Sequence, residues 1–233
     1  SIFGAQYYGK GDNEGVRYAF RFKIIYAVLI TIAAFAVLLS FNEPLIGLFL
    51  TDTGAGGDLA LTLKEAKSYL MVMLIGLPPF ALSQTYSSTL RETGETKAPM
   101  FASVIAILLN LVLNYILIFG NFGMPEMGVR GAAVATVVSR FVELSIVALW
   151  THTHGKTHPF ITGALRSFRI PRKLTGDIIR KGMPLLINEF FWASGMAIQN
   201  QCYSTCGLDV VPAQNISSTL FQLASVVFLS MGN

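Results

Sequence analysis

The sequence is short of charge. Only 13% of its 233 residues are Asp, Glu, Lys or Arg, whereas 53% are hydrophobic. A soluble domain carries about 25% charged residues, so this composition argues against an ordinary globular protein. The mean hydropathy is +0.57, and apolar runs recur that are long enough to cross the ~30 Å hydrocarbon core. We therefore predict an integral membrane protein embedded in a lipid bilayer.

Cysteine is also scarce, and motifs for enzymatic chemistry are missing. Cys202 and Cys206 are the only two cysteines, and their spacing of four residues on a helix is poorly suited to a mutual disulfide. No G-x-x-x-x-G-K-[ST] loop and no nucleophile–base arrangement occurs, so we expect neither ATP hydrolysis nor another enzymatic activity. His152, His154 and His158 share one connector, which is weak evidence for a metal, and we predict no metal site there.

Six apolar segments of about 20 residues predict six membrane spans. Since the bilayer core offers no water to the backbone, spanning segments are helices or closed barrels. The runs do not show the alternating hydrophobicity of barrel strands, so we predict an all-α, polytopic membrane protein. The predicted spans are 24–46, 68–90, 99–120, 131–151, 183–206 and 211–231.

Lys and Arg are distributed unevenly between alternate loops. The loops at 10–23, 91–97 and 152–181 contain 13 of them, and the loops on the other side contain three. Because cytoplasmic loops carry an excess of Lys and Arg, we place these three loops on the cytoplasmic side of the cell (inner or plasma) membrane. Topology thus accounts for the formal net charge of +4, and we predict no nucleic-acid binding.

The third span carries two carboxamides in an otherwise apolar run. Asn110 and Asn114 are four residues apart and share one helix face, with Ser103 on the same stripe. Counted from Lys97 at the helix rise, they lie ~20–25 Å into the membrane. Two interpretations stay open: hydrogen bonds between helices, worth ~0.6–2 kcal/mol, or a cavity lining that coordinates a cation or substrate.

The fifth span carries a carboxylate. Glu189 lies eight residues beyond Lys181, which places it about 12 Å into the membrane. A charge at that depth costs a few kcal/mol and marks a functional site by default. Asn200 and Tyr203 follow on the same face. Glu189 could exchange a proton for a cation, and the alternative is a protonated or paired structural Glu.

Polar residues also line one face of the sixth span and part of the fourth. In the sixth span Asn215 and Gln222 fall on one face. We expect this face to point away from lipid, because polar groups inside the bilayer are expensive. In the fourth span Arg140 and Glu143 are three residues apart and can pair locally. Thr136 lies one turn before Arg140 on the same side.

Three longer stretches carry recognisable motifs. Residues 91–100 read RETGETKAPM, residues 110–136 read NLVLNYILIFGNFGMPEMGVRGAAVAT, and residues 4–17 read GAQYYGKGDNEGVR. The first is similar to the R-x-x-G-x-T-K-x-P-M signature of the multidrug and toxic compound extrusion (MATE) family. The second resembles the stretch that follows it in bacterial members, and the third resembles the end of their second helix. The resemblance covers essentially the whole chain.

The resemblance implies a twelve-helix fold in two lobes of six helices. On this basis the chain is expected to be an internal fragment, from the end of helix 2 through most of helix 8. Residues 1–151 would belong to the N-lobe, with the end of helix 2 and helices 3 to 6. Residues 152–182 would form a cytoplasmic linker between the lobes, and 183–233 would begin the C-lobe with helix 7 and most of helix 8.

The resemblance also implies a function. Family members use a Na⁺ or H⁺ gradient to expel organic cations, including drugs, by alternating access, and we expect no cofactor besides the coupling ion. Asn110 and Asn114 match the N-x-x-x-N/D pair of helix 5 in the N-lobe cation site, with Thr136 nearby. Asn114 lacks the charge of members that have Asp there. Glu189 resembles the helix 7 glutamate of the Na⁺-coupled branch, about one turn earlier.

Other classes of function stay open. A flippase for lipid-linked oligosaccharide or peptidoglycan precursors, from the same superfamily, would favour a cationic cavity, whereas Arg140 has Glu143 beside it. A non-transporting scaffold would have no use for intramembrane carboxylates. We expect the full-length protein to act as a monomer. The predicted residues for coupling ion and substrate are Glu189, Asn110, Asn114, Thr136, Asn200, Tyr203 and Gln222.

Overall fold

The computed structural model describes residues 2–47, 59–155, 158–164, 169–205 and 210–231. Within these ranges all regular structure is helical, which confirms the predicted all-α class. A short 3₁₀ turn at Asn121–Gly123 follows the fifth helix. The α-helices are α1 (Ile2–Gly9), α2 (Asn13–Ser40), α3 (Asn42–Gly47), α4 (Leu59–Glu92), α5 (Lys97–Phe119), α6 (Gly128–Thr153), α7 (Arg172–Ser204) and α8 (Val210–Met231).

Four helices are long and apolar enough to cross a membrane: α2, the Leu61–Glu92 part of α4, α5 and α6. They correspond to the first four predicted spans. The predicted end of the first span, at residue 46, is wrong because α2 stops at Ser40 and the short α3 follows. Pro44 accounts for the break, since it lies in the first turn of α3 and has no N–H to donate to a carbonyl at the end of α2.

Helices α7 and α8 occupy the last two predicted spans. In the described part of the chain neither reaches the apolarity of the four candidate spans, because polar residues interrupt both. Helix α7 also begins earlier than predicted, at Arg172 directly after Pro171. The amide of Thr175 donates to the Pro171 carbonyl at 3.2 Å. The connector at 152–182 is therefore helical in its second part, not a loop throughout.

The chain divides into two compact units. The first comprises Ser1–Ser40 and Ser68–Gly182, and the second comprises Phe41–Lys67 and Met183–Asn233. In the second unit an exposed ion pair joins α3 to the start of α4, with Lys67 Nζ 2.7 Å from a carboxylate oxygen of Glu43. The assignment of residues 1–151 and 183–233 to two lobes stays a prediction.

The first unit has an apolar core at the end that we place on the cytoplasmic side. Val16, Phe20 and Ile24 recur every four residues on one face of α2 and are buried. The Phe20 ring meets the rings of Tyr86 and Phe160 edge-on, with centroids 5.1 and 5.8 Å away. Fully burying such a side chain from water stabilises the fold by about 1.5–3 kcal/mol. Part of the connector after α6 is thus packed onto the helix bundle.

Helices α5 and α6 approach closely. Gly120 ends α5 in the left-handed conformation, with φ of 67°, and its N–H bonds to the Ile116 carbonyl. At the start of α6 Gly131 faces α5, and a Cβ placed there would lie 2.6 Å from the Leu117 carbonyl oxygen. Only glycine permits this close approach of the two helices. Further along, Asn110 of α5 bonds to Thr136 of α6.

Candidate functional site

A polar cavity lies between α4, α5 and α6 within the first unit. Its volume is about 320 Å³. All three helices contribute candidate membrane spans. Polar groups in a membrane are costly unless they are paired or face a water-filled cavity. The partners of each polar side chain therefore decide what this cavity does. The cavity is lined by Gln84, Ser103, Ala106, Ile107, Asn110, Thr136, Ser139, Arg140 and Glu143.

A chain of hydrogen bonds joins the three residues predicted for the N-lobe cation site. Asn110 Nδ2 donates to Thr136 Oγ1 at 3.3 Å, and Asn114 Nδ2 donates to Asn110 Oδ1 at 3.0 Å. The Thr136 hydroxyl donates its own proton to the Ala132 carbonyl at 2.9 Å. Its oxygen therefore serves as the acceptor for Asn110. The structure thus brings Asn110, Asn114 and Thr136 together across α5 and α6.

One oxygen of this chain has no donor. Asn114 Oδ1 is buried and has no hydrogen-bond partner among the described residues. Leaving such an acceptor unsatisfied costs about 1–3 kcal/mol. A carbonyl oxygen at this position fits a hard cation, since hard cations take oxygen ligands, and it also fits a donor such as water. Asn110, Asn114 and Thr136 supply only neutral ligands.

The charged residues that line the cavity are Arg140 and Glu143 on α6, and Glu143 is the buried one. Its side chain is 4% exposed. Ser103 Oγ donates to its Oε1 at 3.0 Å, and Arg140 Nη1 donates to its Oε2 at 3.0 Å. The predicted local pairing of Arg140 with Glu143 is confirmed. The Arg140 guanidinium also lies over the ring of Phe80 on α4, 4.8 Å from its centroid.

Several members of this cavity were not recognised from the sequence, Ser139 among them. Glu143 was interpreted only as a local partner of Arg140, and Gln84 was not singled out. Ser103 was assigned to the stripe of Asn110 and Asn114, yet it bonds to a carboxylate 40 residues later. The signal for Gln84 was available, because it is a polar residue within the second predicted span.

The other predicted residues lie on α7 and α8, in the second unit. Glu189, Asn200 and Gln222 are exposed, and Tyr203 is partly buried. The Tyr203 hydroxyl accepts a hydrogen bond from Gln199 Nε2 at 3.4 Å, four residues away on the same helix. The roles of these four residues stay predictions.

The three histidines of the connector have separate surroundings. His152 Nε2 lies 3.3 Å from the Tyr86 hydroxyl, and the His154 ring stacks on Trp150 with centroids 4.4 Å apart. His158 is buried, and its Nε2 has no partner within the described ranges. Burial lowers the pKa of His158 below 6.5, and Glu95 opposes this shift. No group of three His, Cys, Asp or Glu in the described residues could hold a metal ion.

Basic residues of α2 hold the connector in place. Arg21 Nε donates to the Ala164 carbonyl and Nη2 donates to the Gly163 carbonyl, both at 2.8 Å. Arg17 reaches the carbonyls of Pro159 and Phe160 at 3.2 and 3.3 Å. These arginines were counted above only as topology signals. The structure gives them a second role, because their guanidinium donors satisfy carbonyls of a segment that consists of consecutive turns.

Comparison with known proteins agrees with this architecture. A family model described as MatE matches residues 1–116. The chain is 34% identical, over 190 residues, to a probable multidrug resistance protein NorM of Thermotoga maritima, covering 81% of the chain and 38% of the relative. It is 24% identical over 229 residues to multidrug resistance protein NorM of Vibrio parahaemolyticus, covering 98% of the chain and 48% of the relative.

A solved structure matches as well. It is described as an inward-facing conformation of a multidrug resistance MATE family transporter of the MOP superfamily. The TM-score is 0.78 at 25% identity, and the match covers 97% of this chain and 48% of that chain. The chain thus spans half the length, or less, of the relatives that it matches.

Long apolar helices around a polar cavity define a polytopic membrane protein. The chain belongs to the MATE family, as its motifs indicated. Membership in a family of transporters confirms the prediction that the protein is not an enzyme. It also confirms a multi-pass protein of the plasma membrane, since the matched relatives are bacterial.

Proposed function

We propose that the full-length protein containing this chain is a secondary active transporter. It exports organic cations, including drugs, in exchange for Na⁺ or H⁺ by alternating access. The observation that carries the proposal is the polar cavity inside the membrane-spanning helices. Its lining residue Asn110 accepts a hydrogen bond from Asn114, whose own Oδ1 is buried and unpartnered among the described residues. The names of the relatives, which are multidrug resistance proteins, support the substrate class.

The cavity provides what a small coupling ion needs. A cation that leaves water must exchange its hydration shell for fixed oxygens, and Asn110, Asn114 and Thr136 offer three within one hydrogen-bonded chain. A carboxylate beside these neutral oxygens would add charge compensation for the desolvated ion. Glu143 is the buried carboxylate in the same cavity.

Helix α4 contains two adjacent prolines in its interior, which suit a moving element. Pro78 and Pro79 lie inside it, and neither can donate to the carbonyl four residues earlier. Such interruptions are tolerated where neighbouring helices or water satisfy the freed carbonyls. Because Phe80 and Gln84 follow directly, a bend at the prolines would move one wall of the cavity. This supports alternating access as the transport mechanism.

The flippase alternative has less support. Anionic headgroups favour a cationic cavity, whereas the guanidinium of Arg140 is already bonded to Glu143. Among the lining residues, Arg140 and Glu143 are the charged pair, and their formal charges cancel. The flippase is therefore an outcome of the experiment below, not a second proposal.

Reconstitution tests the proposal. The full-length protein in proteoliposomes would be given a fluorescent organic cation, first with an imposed Na⁺ gradient and then with an imposed H⁺ gradient. We expect one gradient to drive efflux in the wild type. Glu189→Gln tests whether the α7 carboxylate couples transport: loss of gradient-driven efflux would support that role, and normal efflux would make Glu189 structural. Failure of both gradients to move the dye would contradict the proposal and favour the flippase.

A further inference from the structure

The contacts of the Arg140 guanidinium with Glu143 and Phe80 resemble those that a bound organic cation would make. Glu143 supplies a buried carboxylate, and Phe80 supplies an aromatic face 4.8 Å from the guanidinium carbon of Arg140. A carboxylate and an aromatic face are the two groups that recognise delocalised organic cations. The chain therefore already holds a guanidinium in the way that it would hold such a ligand.

The internal guanidinium is held by only part of its bonding capacity. Arg140 reaches Oε2 of Glu143 through Nη1 alone, while Oε1 accepts from Ser103. A planar amidinium or guanidinium can instead direct two parallel N–H groups at both carboxylate oxygens. Arg140 cannot align in this way easily, because it sits three residues from Glu143 on the same helix. An incoming planar cation can thus make a better contact than the residue that it displaces.

The surroundings leave room for that exchange. The cavity volume of about 320 Å³ falls within the range of small-molecule pockets. Arg140 is 39% exposed at its side chain, whereas Glu143 is 4% exposed, so the cation can swing away while the carboxylate stays. Ala106 and Ile107 add an apolar wall, and Gln84 follows Phe80 by four residues on the same face of α4.

We propose that Glu143 is a binding carboxylate for planar, delocalised organic cations of the amidinium and guanidinium type, and that Arg140 is a tethered competitor for this site. The inference rests on the proposed export of organic cations and names a substrate class for the same cavity. Arg140 thereby makes the site selective, because an ammonium or phosphonium without parallel N–H donors displaces it poorly.

Binding measurements on the purified full-length protein test this directly. The probes are 4′,6-diamidino-2-phenylindole, a planar diamidine, and tetraphenylphosphonium, a cation without N–H donors. Glu143→Gln keeps the shape and removes the charge, and we expect it to raise the diamidine Kd about tenfold or more. Arg140→Gln removes the competitor and should lower that Kd about threefold or more. The Kd for tetraphenylphosphonium should change less than about twofold in either variant.

Folding is controlled in two ways. Thermal unfolding is recorded for every variant, and Arg140→Lys replaces the planar fork with a compact ammonium while keeping the charge. If Arg140→Gln fails to fold, Arg140→Lys decides, and it should also tighten diamidine binding. Unchanged diamidine affinity in Glu143→Gln, or weaker binding in a folded Arg140 variant, would overturn the inference.

The two proposals fail separately, because binding in detergent needs no ion gradient. If both gradients fail to drive efflux while the diamidine pattern holds, the antiport function is wrong and the binding site stands. If efflux is gradient-driven while Glu143→Gln binds diamidine normally, only the binding site is wrong.

Discussion

Asn114 Nδ2 donates to Asn110 Oδ1 at 3.0 Å, and this bond leaves Asn114 Oδ1 buried without a partner among the described residues. Two carboxamides one helical turn apart are thus arranged so that one donates and the other keeps an open acceptor. The next bond, from Asn110 to Thr136 at 3.3 Å, carries this arrangement from α5 to α6.

The first prediction concerns Asn114. Asn114→Ala removes the open acceptor, and we expect gradient-driven efflux to fall about tenfold or more, because a desolvated cation loses a ligand that nothing replaces. Asn114→Asp keeps an oxygen at the same place and should retain efflux. Dye efflux from proteoliposomes measures both. Asn121→Ala is the control, since Asn121 lies in the turn after α5, away from the cavity lining, and bonds to the Tyr115 carbonyl. An equal loss in that variant would contradict the assignment.

The second prediction concerns Gly131. Gly131→Ala places a methyl group 2.6 Å from the Leu117 carbonyl oxygen, and both residues belong to packed backbone that cannot move cheaply. We expect a loss of about 1–3 kcal/mol in the free energy of unfolding, measured by thermal or denaturant unfolding in detergent. Gly176→Ala is the matched control, because nothing lies within 4 Å of the added methyl and alanine favours a helix. Equal destabilisation of both variants would argue against close packing of α5 on α6.

The third prediction concerns pH and His158. Burial lowers the pKa of its imidazole in the folded protein below 6.5, with Glu95 opposing the shift and His154 adding to it. Below pH 6.5 the unfolded chain therefore binds a proton that the folded protein resists, so stability falls as the pH drops through this window. Above pH 6.5 both states are neutral and the penalty is absent.

The melting temperature at pH 5.5 and 7.5 tests this effect. We expect the wild type to lose more stability at the lower pH than His158→Gln, which cannot titrate. His154→Gln should keep most of the pH dependence, since burial is the largest cause of the His158 shift and His154 is a lesser one. An identical pH dependence in wild type and His158→Gln would show that His158 does not contribute.

The fourth prediction concerns Arg21. Its two 2.8 Å bonds to the Ala164 and Gly163 carbonyls are made by a buried guanidinium, and hydrogen bonds to charged groups contribute about 1.5–3 kcal/mol each. We expect Arg21→Ala to raise amide hydrogen exchange across 158–164. Arg17→Ala should have a smaller effect, because its contacts are longer and more exposed. Equal exchange in Arg21→Ala and the wild type would contradict this role.

Local periodicity allowed much of the site to be predicted. Asn110 and Asn114 share a face because a helix repeats every 3.6 residues, and their connection to Thr136 followed from the family resemblance. The ends of the spans were predicted less well. Pro44 lies inside the predicted first span, and α2 ends before it, at Ser40. Sequence reasoning worked where one helix contained the whole pattern.

Tertiary contacts explain what was missed. The bond between Ser103 and Glu143 joins residues 40 positions apart, and no periodicity relates them. Arg21 was counted as a topology charge, although its donors reach carbonyls more than 140 residues later. The connector was expected to be a loop, yet Phe160 packs against Phe20 because the end of the bundle offers an apolar surface there. Such contacts depend on how helices pack, which a single sequence does not specify.

The central claim is that the α5–α6 cavity couples a cation to export. The most direct measurement records the counter-ion itself. Proteoliposomes containing the full-length protein are loaded with an organic cation, and the opposing movement of Na⁺ or H⁺ is followed for wild type and Asn110→Leu, whose side chain cannot bind a cation. The account predicts substrate-evoked counter-ion movement in the wild type and its loss in Asn110→Leu. Equal counter-ion movement in a folded Asn110→Leu variant would contradict it.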